Sequence, residues 1–157
     1  MSTPALPAVE KVGAFIIRRN REELYELLLF HHADMPEVPL QIPGGSIDSG
    51  PETAVEAVHR EVREESGLAD LEVIRKVGVS DWFWPEGEFW VKRHLFLLEA
   101  PRETPDTWIH SVGGCGSDAR LRFAYHWLRP PIEFRLTGDL GIFLNPGHLP
   151  ELYSDAS

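Results

Sequence analysis

Residues 44–68 read GGSIDSGPETAVEAVHREVREESGL, a glycine-rich turn followed by a helical pattern. In the second half of this segment, apolar residues recur at the spacing of one helix face, which is typical of an amphipathic helix. Pro51 suits the start of a helix, and Gly67 suits its carboxyl end. The segment therefore predicts a helix over 52–66. The predicted apolar face consists of Ala54, Val55, Ala57, Val58 and Val62.

Three carboxylates lie close together on the last turns of this predicted helix. Glu61 precedes Glu64 by three residues and Glu65 by four, so all three project from one side. Their mutual repulsion favours a cation between them, and Mg²⁺ prefers carboxylate oxygens as ligands. An acidic, solvated helix face is the competing interpretation. An EF-hand is excluded, because the chain has no Asp-x-Asp-x-Asp-Gly loop.

Residues 45–68 resemble the signature of the Nudix hydrolase family, G-x5-E-x7-R-E-U-x-E-E-x-G-U, in which U is a bulky aliphatic residue. Glu52 is followed, after seven residues, by REVREESGL, which begins at Arg60, and every fixed position of this part matches. Six residues separate Gly45 from Glu52, one more than the signature has. This departure leaves open whether the carbonyl of Gly44 or that of Gly45 faces a metal.

The resemblance implies a fold and a reaction. The fold is α+β, a Nudix-like α/β/α sandwich with a mixed β-sheet, in one domain over residues 1–157. The reaction is hydrolysis of a phosphoanhydride (pyrophosphate) bond in a nucleoside diphosphate-linked or related substrate. The implied cofactor is Mg²⁺, for which Mn²⁺ can substitute. A divalent cation suits this chemistry, because it neutralises phosphate charge and lowers the pKa of bound water.

Roles for individual residues are implied by the same resemblance. The implied metal ligands are Glu61, Glu64, Glu65 and the carbonyl of Gly45. One of the three glutamates is implied to act as the base, and Glu64 is assigned a catalytic role. Glu52 and Arg60 are implied to form the ion pair that orients the turn and the helix. In some relatives the base lies on a later loop instead, where Asp118 is a candidate and a solvated loop aspartate is the alternative.

The composition is that of one ordinary globular domain. The chain has 157 residues, of which 43% are hydrophobic and 25% charged, and its formal net charge is −10. This acidity disfavours double-stranded nucleic acid as a partner. Apolar runs are too short to span a membrane, and the single cysteine, Cys115, is unable to form an intramolecular disulfide. We therefore expect a cytoplasmic protein with no membrane partner.

The rest of the chain reads mainly as strands. A β-hairpin is predicted over 12–18 and 24–31, and residues 1–10 are expected to form a flexible arm. Further strands are predicted over 71–79, 89–100, 108–112 and 121–128. Short helices are predicted over 138–144 and 146–153. Strands around one central helix agree with an α+β domain.

Aromatic and basic residues outside the signature are candidates for substrate binding. Trp82, Trp84 and Trp90 fall within nine residues of each other. Rings in a cleft can stack on a nucleobase, at about 1–3 kcal/mol each. Rings that fill the hydrophobic core are the competing interpretation. Arg93, on the next predicted strand, would bind a phosphate or a terminal group if it faces the site, and would otherwise lie at the surface.

Three classes of function remain open on the sequence. The first is a Nudix-type pyrophosphohydrolase, and the second is a catalytically silent Nudix-like domain that binds a nucleotide as a sensor. The third is an acidic interaction module without a site. Intact Glu61, Glu64 and Glu65 favour the hydrolase, because a binding module has no need of a metal-binding face. We expect a small phosphorylated, nucleotide-like substrate, and the existence of a homodimer is left open.

Overall fold

The computed structural model describes residues 8–48, 50–112, 121–132 and 140–154. The strands are β1 (Ala8–Arg19), β2 (Tyr25–His32), β3 (Gly44–Ser46), β4 (Glu72–Trp84), β5 (Phe89–Glu99), β6 (Thr107–Ser111) and β7 (Arg122–Leu128). The helices are α1 (Ala54–Ser66) and α2 (Pro150–Tyr153), with a 3-10 turn over Leu140–Phe143. No helix in this part of the chain is long and apolar enough to cross a membrane.

The described strands form one mixed sheet. Their order is β4-β5-β1-β2-β7-β6, and β3 pairs with β1. β1 runs parallel to β5, from Ala8 opposite Trp90 to Ile17 opposite Glu99. The remaining strand pairs are antiparallel. This sheet confirms the predicted α+β class.

Alternating side chains of β1 pack on opposite faces of the sheet. Val12 and Ala14 are buried on the face that packs against Val58 of α1. Phe15 points to the opposite face, where it belongs to a second buried cluster with Leu152 of α2. Because both faces are covered, β1 appears in the sequence as a nearly uninterrupted apolar run. The helices and the sheet thus form the predicted three layers.

The glycine turn is built into the sheet between β1 and β2. On one side β3 pairs with β1, and on the other side Gln41 bridges to Phe30 of β2. A Cβ atom on Gly44 would lie 2.3 Å from the carbonyl oxygen of Val12, so only glycine fits this position. The turn that precedes α1 is therefore held by two central strands.

Specific caps define both ends of α1. The hydroxyl of Thr53 accepts a hydrogen bond from the backbone N–H of Glu56, and the carboxylate of Glu56 accepts one from the N–H of Thr53. This capping box starts the helix at Ala54, two residues later than predicted. Gly67 adopts a φ of 83°, and its N–H donates to the carbonyl of Arg63, which confirms the predicted end.

Two predicted boundaries at the start of the chain and in β4 are wrong. β1 begins at Ala8, so residues 8–10 belong to the sheet and not to a flexible arm. β4 continues to Trp84 instead of ending at Val79, because its pairing with β5 extends through the aromatic segment. The β4–β5 hairpin is therefore longer than the sequence pattern indicates.

The predicted C-terminal helices are shorter in the structure. Within the described residues, the helix predicted over 138–144 is a 3-10 turn over Leu140–Phe143. The helix predicted over 146–153 is limited to Pro150–Tyr153, where proline occupies the first helical position. Phe143 is buried in the cluster on the face opposite α1, so this short turn still closes the core.

We expect Gly67→Ala to lower the free energy of unfolding by about 1–2 kcal/mol, because alanine resists a left-handed φ. A Cβ atom at Gly67 would also lie 3.1 Å from Nδ1 of His110. Urea denaturation measures the loss. Gly141→Ala is the matched control, because nothing lies within 4 Å of a Cβ atom there. Equal losses in the two variants would contradict the expectation.

Candidate active site

Arg60 and Glu52 form the ion pair that the sequence predicts. Nε of Arg60 donates to Oε2 of Glu52 at 2.8 Å, and Nη2 donates to Oε1 at 3.0 Å. The side chains are only 20% and 16% exposed. Hydrogen bonds from the guanidinium of Arg60 are the largest cause that lowers the pKa of Glu52, and a hydrogen bond from the backbone N–H of Asp48 is the next. Together they bring this pKa to about 2. The pair therefore stays charged at any ordinary pH.

The guanidinium of Arg60 also joins the turn to the helix. Its Nη2 donates to the carbonyl oxygen of Ser46 at 2.9 Å. Its Nη1 donates to Oε1 of Glu61 at 2.9 Å and to Oε2 of Glu64 at 3.3 Å. The loop between Ser46 and Glu52, which contains the extra residue, is thus tied to α1 at both ends.

The two glycines of β3 meet two different glutamates of α1. The N–H of Gly44 donates to Oε1 of Glu65 at 2.7 Å. A Cβ atom on Gly45 would lie 2.4 Å from the carboxylate carbon of Glu61, so this carboxylate packs directly on the Gly45 backbone. Any side chain at Gly45 would displace Glu61. The assignment of one glycine carbonyl to a metal stays a prediction.

Burial makes negative charge costly at this place. Desolvation raises the pKa of Glu65 to about 8, and the charges of Glu61 and Glu64 add to the rise, although the N–H from β3 and the charge of Lys11 oppose it. Desolvation also raises the pKa of Glu61, despite the neighbouring guanidinium. Without a bound cation Glu65 is therefore largely protonated at neutral pH, and a cation placed beside it would favour its charged form.

The carboxylates fit Mg²⁺ in chemical type, but they do not form a closed ligand set. In the described part of the chain, no group of three or more His, Cys, Asp or Glu side chains is placed to hold a metal ion. Arg60 binds Glu61 and Glu64 through one nitrogen, and Glu65 is turned toward β3. Rotation of these side chains would free their oxygens for a hard cation. Metal ligation stays a prediction that the donor chemistry supports.

Ring side chains of β6 and β7 hold the end of α1 that carries the glutamates. Each donates a hydrogen bond to a different carbonyl: His110 Nε2 to Glu64 (3.0 Å), Tyr125 Oη to Glu65 (2.9 Å) and Trp108 Nε1 to Ser66 (2.9 Å). The last carbonyls of a helix have no partners within it, so these bonds fix its end. No local sequence pattern indicates these contacts, because they join residues far apart in the chain.

A cleft of about 190 Å³ opens beside the glycine turn. Its lining includes Lys11, Gly13, Gln41, Gly44, Glu65 and Arg93. Arg93 is thus the one predicted substrate-binding residue that the structure brings to the cleft. No sequence motif singles out Lys11, because it is a single lysine in a strand. Because side chains alternate along a strand, the buried position of Val12 could have indicated that Lys11 leaves β1 on the other face of the sheet.

The three tryptophans lie away from this cleft. Trp82, Trp84 and Trp90 are 40%, 46% and 40% exposed at the end of the β4–β5 hairpin. The interpretation that they fill the core is therefore wrong, and they are not among the residues that line the cleft. Their role in substrate binding stays a prediction. Asp118, the candidate base on a later loop, lies outside the described residues.

Comparisons with known proteins agree with this geometry. The model of the NUDIX domain family matches residues 9–131. No curated protein matches the chain. Because the family model covers most of the chain, the domain assignment does not depend on the helix signature alone.

Solved structures share the fold at low sequence identity. The solution structure of the E. coli ORF135 protein has a TM-score of 0.57 and 18% identity, covering 96% of this chain and 91% of that one. A MutT NUDIX hydrolase from Burkholderia pseudomallei has a TM-score of 0.53 and 24% identity, covering 77% and 82%. A NUDIX hydrolase from Nitrosomonas europaea has a TM-score of 0.51 and 21% identity, covering 78% and 72%. With the family model matched over residues 9–131, this chain belongs to the Nudix hydrolase family.

Proposed function

We propose that the protein hydrolyses a phosphoanhydride bond in a small nucleotide-like compound and that it uses Mg²⁺. The observation that carries this proposal is that Glu61 and Glu65, at the end of α1, lie against the glycine backbone of β3, while Glu64 shares the guanidinium of Arg60 with Glu61. Partly buried carboxylates beside an open cleft are suited to a hard divalent cation and to a phosphate substrate. Membership of the Nudix hydrolase family supports the same reaction class.

The residues of the turn and the helix have distinct parts in this proposal. Glu61, Glu64, Glu65 and the carbonyl of Gly45 hold the metal, which supplies charge neutralisation at the phosphates. Of the two helix glutamates that Arg60 binds, Glu64 is 48% exposed and Glu61 is 13% exposed, so Glu64 is the better placed to accept a proton from water. Arg60 and Glu52 are positioning residues that keep the turn and the helix aligned.

The charge and the cysteine content of the chain favour particular substrates and a particular compartment. The net charge of −10 repels large polyanions, which favours small phosphorylated molecules over double-stranded nucleic acid. A single cysteine fits a reducing compartment, so we propose a cytoplasmic location.

A substrate screen tests the proposed reaction. Nucleoside triphosphates, dinucleoside polyphosphates and nucleotide sugars are incubated with the protein and Mg²⁺ or Mn²⁺, and release of phosphate or pyrophosphate is measured. We expect release from at least one class, and we expect EDTA to abolish it. Binding of these compounds without any release would support the catalytically silent sensor instead.

Glu64→Gln and Glu65→Gln should each lower turnover by about 100-fold or more, because each removes an anionic oxygen needed for metal ligation or proton transfer. Steady-state kinetics on the substrate found in the screen measures the loss. Glu72→Gln is the matched control, because Glu72 is exposed at the start of β4. Turnover at the unsubstituted rate in both helix variants would place the site elsewhere.

Arg60→Ala should reduce both stability and activity, because it leaves Glu52 and Glu61 without their shared cation. Loss of a partly buried, bidentate pair should lower the melting temperature by about 5 °C or more. Arg63→Ala, at an exposed position of the same helix, controls for loss of positive charge. Similar melting temperatures for the two variants would show that Arg60 does not orient the turn.

Mg²⁺ should raise the melting temperature, since a ligand that binds only the folded state stabilises it by mass action. Repulsion among the carboxylates is worst without a cation, because they lie near the negative end of a helix. Glu61→Gln should reduce the shift. NaCl at the same ionic strength controls for general screening. If NaCl gives the full shift in both proteins, the helix end is only an acidic surface.

A further inference from the structure

The described sheet has two edge strands, β4 and β6, and they differ in length. β6 has five residues, and so short an edge strand offers little to a strand of another molecule. β4 has 13 residues, and in the described part of the chain it pairs only with β5. Proteins usually protect a long edge of this kind with bulges, charged side chains or a segment that covers it.

The first half of β4 carries these protections. Its pairing with β5 shifts register twice between Val73 and Gly78, which is typical of bulges. Arg75 adds a charge to this half. Its Nη2 also donates to the carbonyl oxygen of His148 and to Oε1 of Glu151, both at 2.9 Å, so the C-terminal segment is tied to the first half of β4.

The second half of β4, Val79–Trp84, has none of these protections among the described residues. Its pairing with β5 is regular, and Asp81 is its one charged residue. The side chains of Trp82, Phe83 and Trp84 are each more than a third exposed. In a chain with a net charge of −10, this is a nearly neutral, aromatic edge. A regular and apolar edge is suited to pairing with a strand of another molecule.

The exposed rings supply enough surface for a specific contact between two proteins. Four rings form this surface: Trp82, Phe83 and Trp84 of β4, and Trp90 of β5, whose ring lies 5.2 Å from that of Phe83. A fully covered aromatic side chain buries about 150–250 Å², so their exposed parts amount to about 300–400 Å² in each copy. The strand backbone adds to this area. A specific interface needs about 500 Å² from each partner, so the edge comes close to what a small dimer interface requires.

A second copy of the same strand fits this edge in an antiparallel register. A twofold axis perpendicular to the sheet keeps each side chain on the same face in both copies, so opposite residues have numbers of the same parity. An axis at Asp81 would place two carboxylates directly opposite each other, which is unfavourable. An axis at Phe83 would place Pro85, which has no N–H to donate, opposite Asp81. An axis at Trp82 avoids both problems.

We propose that two copies of this chain associate through Val79–Trp84, in antiparallel pairing with Trp82 on the twofold axis. The two Trp82 side chains then lie opposite each other, and Asp81 is opposite Phe83 of the partner subunit, so no like charges meet. Assembly stops at two copies, because the pairing uses the long edge of both sheets and leaves only the short β6 edges free for further strands. Formation of this dimer is independent of the proposed reaction.

Sedimentation velocity over a range of protein concentrations measures the association. We expect a monomer–dimer equilibrium with a dissociation constant on the order of micromolar, because the interface is small. Trp82→Lys should weaken dimerisation by about 100-fold or more, since it removes the central rings and puts like charges directly opposite each other. Ile109→Lys is the matched control, because it replaces an exposed apolar residue of the other edge strand and should leave the dissociation constant nearly unchanged.

Cysteine cross-linking tests the position of the axis, in a Cys115→Ser background so that the introduced thiol is the only one. Trp82→Cys places two thiols opposite each other, with Cβ atoms about 5 Å apart, close to the separation that a disulfide needs. Trp84→Cys is the matched control, because the two copies of this position are about 14 Å apart, four residues along the strands. On mild oxidation we expect a covalent dimer of the Trp82→Cys protein alone, a result that does not depend on whether Trp82→Lys folds.

Sedimentation as a monomer at every concentration up to about 100 µM would overturn the proposed dimer and leave the rings to a substrate or to another protein. A dimer that Ile109→Lys weakens as much as Trp82→Lys does, or more, would also overturn it. Cross-linking of the Trp84→Cys protein but not of the Trp82→Cys protein would contradict the pairing about Trp82.

Discussion

The candidate site depends on one guanidinium that donates hydrogen bonds to several oxygens at once. Arg60 binds the carboxylate of Glu52 through two nitrogens, and it also binds the Ser46 carbonyl, Glu61 and Glu64. A turn and a helix that meet through acidic side chains would otherwise repel each other. The partial burial of the ion pair strengthens it, because water screens it less than it would screen a surface pair.

Backbone geometry provides the second constraint, and it acts from both sides of the glutamates. On one side, the missing side chains at Gly44 and Gly45 let carboxylates pack against the β3 backbone. On the other side, rings of β6 and β7 bind the last carbonyls of α1. The helix end is thus held between a turn and a strand pair, and the glutamate side chains need only rotate to change partners.

The helix and the ion pair could be predicted from the sequence, because both depend on residues close together in the chain. Periodic apolar residues and Gly67 indicate α1, and the resemblance to the Nudix signature implies the contact of Glu52 with Arg60. The insertion of β3 between β1 and β2, and the bonds from β6 and β7, join distant segments that no local pattern connects. The position of Lys11 beside Arg93 in the cleft also belongs to this second class, since it depends on the pairing of β1 with β5.

The parallel pairing of β1 with β5 also sets an order of events while the chain is synthesised. β1 and β2 can form their hairpin early, and β3 can add to β1 soon afterwards. The other edge of β1 stays unpaired until Phe89–Glu99 has left the ribosome, because its partner is β5. During that interval the nascent chain exposes a long apolar edge, the kind of surface on which chaperones act and aggregation begins.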